Sequence, residues 1–383
     1  MPNMNLPEPP FGEELEDPIF DEAVESDELE NVPGIERYEI GFYGTDFPVD
    51  ALYKRMASRG DMDEGDIFIP DFQRGYVWSK KQADGFIESL LLGLPVPGIF
   101  LSTDRTSGRR LVIDGGQRLR TIKSFMDGEF KERVYKLGSG VHLDFQGKRY
   151  IDLLPSDRRR FDDAVIHATI VRQDHPQDGD RSLFYLFERL NTRGTPATAH
   201  EVRRSLWLGP LNDLIEELAK NGNWRQVFGR PSPRFKDQEL ILRFLALYFD
   251  SERYGSPNER TMKDFLSLFM ARNRDIGPDK ANEWRNMFEH VIRYVQGALG
   301  GEAFRPERRL NTAVFDAVMV GLAHAWAKRK MQPPELFEES YRALLQHPEF
   351  IDATTSRTSH QPNVVKRLRL AKEAFDPALA NNP

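Results

Sequence analysis

Apolar positions in this chain change period along its length. Between residues 48 and 209, short alternating runs mix with segments at helical spacing, and beyond 209 the helical spacing is almost continuous. Val49, Leu52, Tyr53 and Met56 predict a helix within 48–59. Residues 61–66 read as an acidic turn, and 67–70 as a short strand entering Asp71-Phe72-Gln73-Arg74-Gly75-Tyr76-Val77-Trp78. Ser79 with Gln82 makes a capping box. Behind it Ala83, Phe86, Ile87, Leu90 and Leu91 form one apolar helical stripe, which Gly93, Pro95 and Pro97 stop. Residues 98–103 and 109–113 read as two strands joined by a hairpin-like turn at 106–108.

The second of these strands leads into the most informative run, Leu111-Val112-Ile113-Asp114-Gly115-Gly116-Gln117-Arg118-Leu119. An apolar segment ends on an acid, two glycines follow, and Leu119, Ile122, Phe125 and Met126 continue at helical spacing to Gly128. This predicts strand, tight turn, helix. Such a turn presents backbone N–H groups at a helix N-terminus, which suits phosphate or another anion. Two readings of Asp114 stay open from the residues alone. It is either an N-cap beside a glycine turn, or a metal ligand beside the orienting amide of Gln117 and the charged fork of Arg118.

Further along, residues 134–143 and 149–154 read as short strands, and 165–172 as a better one. Residues 183–190 read as a helix ending at Asn191-Thr192-Arg193-Gly194, and Thr198 with Glu201 makes a second capping box. Helices are then expected over 211–220, 238–250, 262–272, 281–299, 312–328, 334–346 and 362–375, with Asp237 as an N-cap. The expected organisation is an acidic disordered tail over 1–35, a mixed α/β domain over 36–209 and an all-helical domain over 210–383, an α+β chain overall.

Composition narrows the function. Hydrophobic residues make up 39% and aromatics 11%, so the chain can bury a core. The absence of cysteine excludes disulfides, thiolate metal sites and a cysteine nucleophile. No apolar run is long enough for a spanning helix and no signal-peptide pattern opens the chain, so a cytoplasmic protein without membrane contact is expected. The net charge of −7 hides an asymmetry: residues 1–30 hold eleven acids and no Lys or Arg, leaving 49 acids against 53 bases, or +4, in the remainder. The eight histidines show no metal-site spacing, and there is no HExxH, GxSxG or Walker A pattern. The segment Lys366-Arg367-Leu368-Arg369-Leu370-Ala371-Lys372 reads as a basic helix face, either solvated or in contact with nucleic acid.

Three polar clusters interrupt otherwise regular elements: Gln73-Arg74, Asp114 to Arg118, and Asn191 to Gly194. Together they resemble the N-terminal domain of GmrSD-type restriction endonucleases. Residues 69–78 resemble the family's IPxYQRxYxW signature, Val112–Leu119 its IDGQQRL motif, and Phe187–Gly194 with Glu201 its FxxxNxxG…E segment. The resemblance implies a ParB/sulfiredoxin-like core followed by helices. It implies binding and hydrolysis of a nucleoside triphosphate with Mg²⁺, in a system that restricts foreign DNA. It carries the catalytic role to Asp114, Gln117 and Arg118, metal binding to Asp114, and nucleotide contacts to Gln73, Arg74, Gly115, Gly116, Asn191 and Gly194. DNA and a nuclease or other defence protein are the partners it implies. Two departures stand out. Gly116 occupies the place of the family's first glutamine, and no His-Asn-His nuclease pattern follows. A non-catalytic DNA-binding or regulatory module of the same fold is therefore the alternative. A metal-dependent nuclease site finds little support, since Asp114 is one acid where two-metal sites use several.

Overall fold

The structure, a computed structural model, describes residues 39–57, 65–69, 78–103, 108–175, 181–190 and 198–376. Contacts divide them into two units. One holds the residues up to Asn212 with Ser267–Asp275, and the other holds Asp213–Leu266 and the residues from Ile276 onward. The acidic segment expected over 1–35 lies outside the described residues.

The first unit runs β1 (Glu39–Pro48), α1 (Val49–Met56), β2 (Ile67–Phe68), α2 (Lys80–Leu91), β3 (Ile99–Thr103), β4 (Arg110–Asp114), α3 (Gly116–Asp127), β5 (Glu129–Phe130), β6 (Arg133–Val134), α4 (Pro155–Asp162), β7 (Val165–His175), α5 (Arg181–Leu190) and α6 (Ala199–Leu206). Its main sheet has the order β1-β7-β3-β4-β2. β1 is antiparallel to β7, β7 parallel to β3, β3 antiparallel to β4 and β4 parallel to β2, so the sheet is mixed. The register sets Asp46 opposite His167, Ile99 opposite Ala168 and Phe100 opposite Asp114. One edge of the sheet thus gathers the ends of β1 and β4 and the starts of β7 and β3.

Alternate strand residues face one core, as a period of two requires. Ile166, Ala168 and Ile170 of β7, Ile99 and Leu101 of β3 and Val112 of β4 pack with Leu52, Ile87, Leu119, Ile122 and Phe125 from the helices. The Phe125 ring meets Tyr135, Tyr150 and Phe161 edge-on, at 5.3, 6.0 and 5.5 Å. Both capping boxes form as read, at Ser79 with Gln82 and at Thr198 with Glu201.

Two expected strands do not form. In place of strands over 134–143 and 149–154 there is only the short pair β5–β6, then 3-10 turns at Leu143–Phe145 and Tyr150–Asp152. The loop closes on itself, with Leu137 N–H donating to Lys148 O at 2.9 Å and Gly147 N–H to Leu137 O at 2.8 Å. Tyr135, Leu137, Val141, Phe145 and Leu153 are buried as anchors of this loop, so their spacing reflects separate insertions into the core and not a pleat.

Among the described residues nine helices follow: α7 (Pro210–Ala219), α8 (Gly222–Phe228), α9 (Lys236–Phe249), α10 (Met262–Arg272), α11 (Pro278–Leu299), α12 (Thr312–Ala327), α13 (Pro334–Gln346), α14 (Pro348–Thr355) and α15 (Gln361–Phe375). α12 is the centre of the second unit, buried on all sides from Ala313 to Ala323. A Cβ on its Gly321 would come within 2.9 Å of the Ala371 carbonyl carbon, so glycine is what lets α15 lie against it. Fully buried Asp316 accepts from Arg243 at 3.1 and 2.6 Å and from Arg367 at 2.9 Å.

Two readings of the helical region change. Asp237 is not an N-cap: the chain enters α9 through Phe235 at φ 58°, and buried Asp237 pairs with Arg225 at 2.8 Å. The basic segment of α15 is not a free basic face. Arg367 points into the core onto Asp316, Arg369 pairs with Glu373 and Glu349, and Lys366 pairs with Asp352. The helical period places Arg367 on the same side as Val364, Leu368 and Ala371, all buried.

Candidate functional site

The sheet delivers Asp114 to its edge through an irregular ladder. Leu101 stands opposite Val112 and Phe100 opposite Asp114, so the register slips by one residue just before the turn. Gly115 then takes φ 94°, ψ 8°, a left-handed conformation that suits glycine. A Cβ there would lie 2.5 Å from Ile99 Cγ2 and 3.2 Å from Arg118 Nη2. Two constraints, conformation and space, therefore demand glycine at this position.

Gly115 is the N-cap of α3, and no side chain caps the helix. The cap reading of Asp114 is thereby overturned. Its carboxylate turns to Arg118, whose Nη2 donates to Asp114 Oδ2 at 2.7 Å and to Gly98 O at 2.9 Å. This Arg118 side chain is 15% exposed and that of Asp114 38%. One guanidinium nitrogen thus ties the strand end, the first helical turn and the start of β3 together. Arg118 Nε is buried and has no partner among the described residues. Gln117 Oε1 accepts from Trp78 N–H at 3.4 Å, bringing the end of the first cluster to the second. The Trp78 ring itself packs edge-on against Phe86 at 5.6 Å, a core contact.

The structure therefore assembles Asp114, Gly115, Gly116, Gln117 and Arg118 at one turn. Gln73, Arg74, Asn191 and Gly194 lie outside the described residues. Two residues downstream of the third cluster serve the fold. Glu201 accepts from Thr198 N–H in a capping box, and buried Arg203 bonds Ser267 Oγ at 3.2 Å and lies over the Phe184 ring. Gly98, a contact of Arg118, carries no signal in the sequence, because a main-chain acceptor 20 residues upstream leaves no trace in residue type.

These residues fit a nucleotide with its metal in a limited way. Among the described residues no group of three or more acidic or histidine side chains could hold a cation by itself. Mg²⁺ commonly keeps its waters and binds through one or two carboxylates plus substrate phosphates, so a lone Asp114 suits a metal that arrives with a triphosphate. The unpartnered Arg118 Nε–H and the uncapped N-terminus of α3 suit the phosphate.

Among the described residues no helix is long and apolar enough to cross a membrane. Comparison with curated proteins and with solved structures finds no match. Residues 55–208 match the family model described as GmrSD restriction endonuclease, N-terminal domain. The matched stretch includes the Asp114–Arg118 turn and both capping boxes. Over residues 55–208 the chain is therefore similar to the N-terminal domain of GmrSD restriction endonucleases.

Proposed function

We propose that this domain binds a nucleoside triphosphate with Mg²⁺ at the β4–α3 turn and hydrolyses it, within a restriction or anti-phage defence system that acts on DNA. The observation that supports the reading best is the Asp114–Arg118 pair, held 2.7 Å apart across a left-handed glycine at an uncapped helix N-terminus. In this reading Arg118 and Arg74 contact phosphate oxygens, Gln117 and Asn191 orient the nucleotide, and Gln73, Gly115, Gly116 and Gly194 line it. Asp114 holds the metal or a water, and it sets the guanidinium in place before the ligand arrives. Bound Mg²⁺ would offset charge on the phosphate oxygens. A nuclease or another defence protein is the partner this reading expects.

Asp114→Ala and Arg118→Ala test the assignment. Loss of a charged hydrogen bond of about 1.5–3 kcal/mol should weaken nucleotide binding by Arg118→Ala roughly 10- to 100-fold. Turnover by both variants should fall with it. Wild-type binding and turnover in both would show that the site lies elsewhere. The second reading, a non-catalytic DNA-binding module, is favoured by Gly116, which removes one side chain from the motif. It predicts DNA affinity that falls steeply with salt and does not respond to nucleotide.

A further inference from the structure

Charge along this chain is segregated into two stretches. Residues 1–30 hold eleven acids and no Lys or Arg, and residues 131–160 hold eight bases against four acids. Outside these two stretches the chain balances, with 45 acids and 45 bases. The basic stretch runs from β6 through the loop behind it into α4. Five of its cations, Arg133, Lys136, Lys148, Arg159 and Arg160, have no ion-pair partner among the described residues. The basic run of α15 is the contrast, since Lys366, Arg367 and Arg369 all meet carboxylates.

The same stretch holds apolar side chains out of the core. Val134, Leu143, Ile151 and Leu154 are 57–80% exposed. The loop that presents them is pinned from beneath. Asp84 of α2 accepts from Gly138 N–H at 3.0 Å, and Glu88 of α2 accepts from His142 N–H at 2.6 Å. Leu137 N–H donates to Lys148 O, and Arg158 Nη2 donates to Ile151 O at 2.6 Å, so the loop and α4 are tied together. Exposed aliphatic side chains gathered on an ordered surface mark an interaction site. The phosphate backbone of DNA would use the cations and leave those side chains in water. An acidic segment with apolar residues of its own uses both.

Residues 1–30 have that composition, with Phe11, Leu15, Ile19, Phe20 and Val24 standing among the acids. They also reach. The 38 residues ahead of Glu39 span about 125 Å when extended. The ten residues of β1 cover about 30 Å. At their far end Val49 N–H donates to Ala164 O, just past α4. Tethering lets weak contacts suffice, because a linked segment acts at a high effective concentration.

We propose that residues 1–30 dock on the 131–160 surface of their own chain, with carboxylates on its unpaired cations and apolar residues on its exposed aliphatic side chains. This is independent of the nucleotide reading. A docked segment withholds the surface from other anions.

The test uses the full chain, whose lack of cysteine allows labels at chosen positions. Spin labels on Ser26→Cys and Ser139→Cys report the distance between segment and loop. A short-distance population is expected at low salt. It should shrink in 1 M salt, where the screening length is about 3 Å. Each exposed ion pair contributes roughly 1.4- to 5-fold, so glutamine at Lys136, Lys148, Arg159 and Arg160 should shift the docking equilibrium at least about fourfold. Leu143→Ser with Ile151→Ser should also reduce the short-distance population. These side chains are exposed, so thermal melts should match wild type. Glutamine at four exposed cations of the second unit, Arg230, Arg308, Arg329 and Arg357, should leave the distance unchanged. No short-distance population in the unsubstituted surface, one that ignores its four glutamines, or equal loss in the second-unit variant would overturn the proposal. Duplex DNA that binds the 131–160 surface in a chain without the short-distance population would also overturn it and give the surface to nucleic acid.

Discussion

At the scale of single residues, Gly115 is the most constrained position in the site. Alanine there must take φ near +94° and push Ile99 aside, since its Cβ would fall 2.5 Å from Ile99 Cγ2. Left-handed strain alone costs about 1–2 kcal/mol for a non-glycine residue. Gly115→Ala should therefore lower stability by more than that, read as a drop in the denaturant midpoint, and should also move Arg118. A Gly115→Ala protein as stable as wild type would contradict this account of the turn. The glycine turn and its charged neighbours were legible in the sequence because strand, glycine pair and helix follow each other directly. The grip of Arg118 on Gly98 was not, because it joins segments through a main-chain oxygen. The Asp114 side chain also escaped a decision: a cap and a metal ligand look alike in sequence, and its ion pair with Arg118 shows only once the backbone places the cap at Gly115.

At the scale of elements, local signals were reliable where one short motif decides the outcome. Ser79 N–H donates to Gln82 Oε1 at 2.9 Å and Ser79 Oγ accepts from Gln82 N–H at 3.3 Å, the reciprocal pair that the spacing announced. Ser79→Ala should cost about 1 kcal/mol, measured by urea unfolding, with a loss below about 0.2 kcal/mol contradicting the cap's role. Reading by period failed where apolar spacing served another purpose, as in the loop holding Tyr135 and Leu137. It also overlooked β1, whose alternation is broken by Gly41 and Gly44 and whose pairing with β7 extends over ten residues. That strand depends on a partner more than a hundred positions away, which no local pattern reports. In α15 the helix was legible but the fate of its charges was not. Arg367 sits among core residues because Asp316, 51 positions earlier, waits there for it.

At the scale of the whole molecule, the second unit is organised around buried charge. Asp316→Ala would leave Arg243 and Arg367 facing each other without their shared carboxylate. Breaking a buried pair costs about 3–5 kcal/mol, so this variant should unfold at much lower denaturant than wild type. Asp316→Asn, which keeps the shape, should lose nearly as much. A loss under about 1 kcal/mol in both would show that the network contributes little. Acid should act on the same unit through His324, whose pKa is held down to about 4 by burial, with Lys372 and Lys328 adding repulsion. Unfolded, this histidine takes up its proton near pH 6.5. The unfolded state therefore binds more protons between about pH 6.5 and 4, and stability falls as pH drops through that window. His324→Gln should flatten that slope in pH-dependent unfolding curves. An unchanged slope would mean that His324 is open to water in the native protein.

The central claim is that a nucleotide seats at the turn between β4 and α3. Its most direct test is calorimetric titration of the full chain with ATP, GTP, CTP and UTP in the presence of Mg²⁺, repeated on Arg118→Ala. The account predicts saturable one-site binding of at least one triphosphate by the wild type, weakened at least tenfold in the variant. No binding of any of the four, or equal binding by wild type and Arg118→Ala, would contradict it.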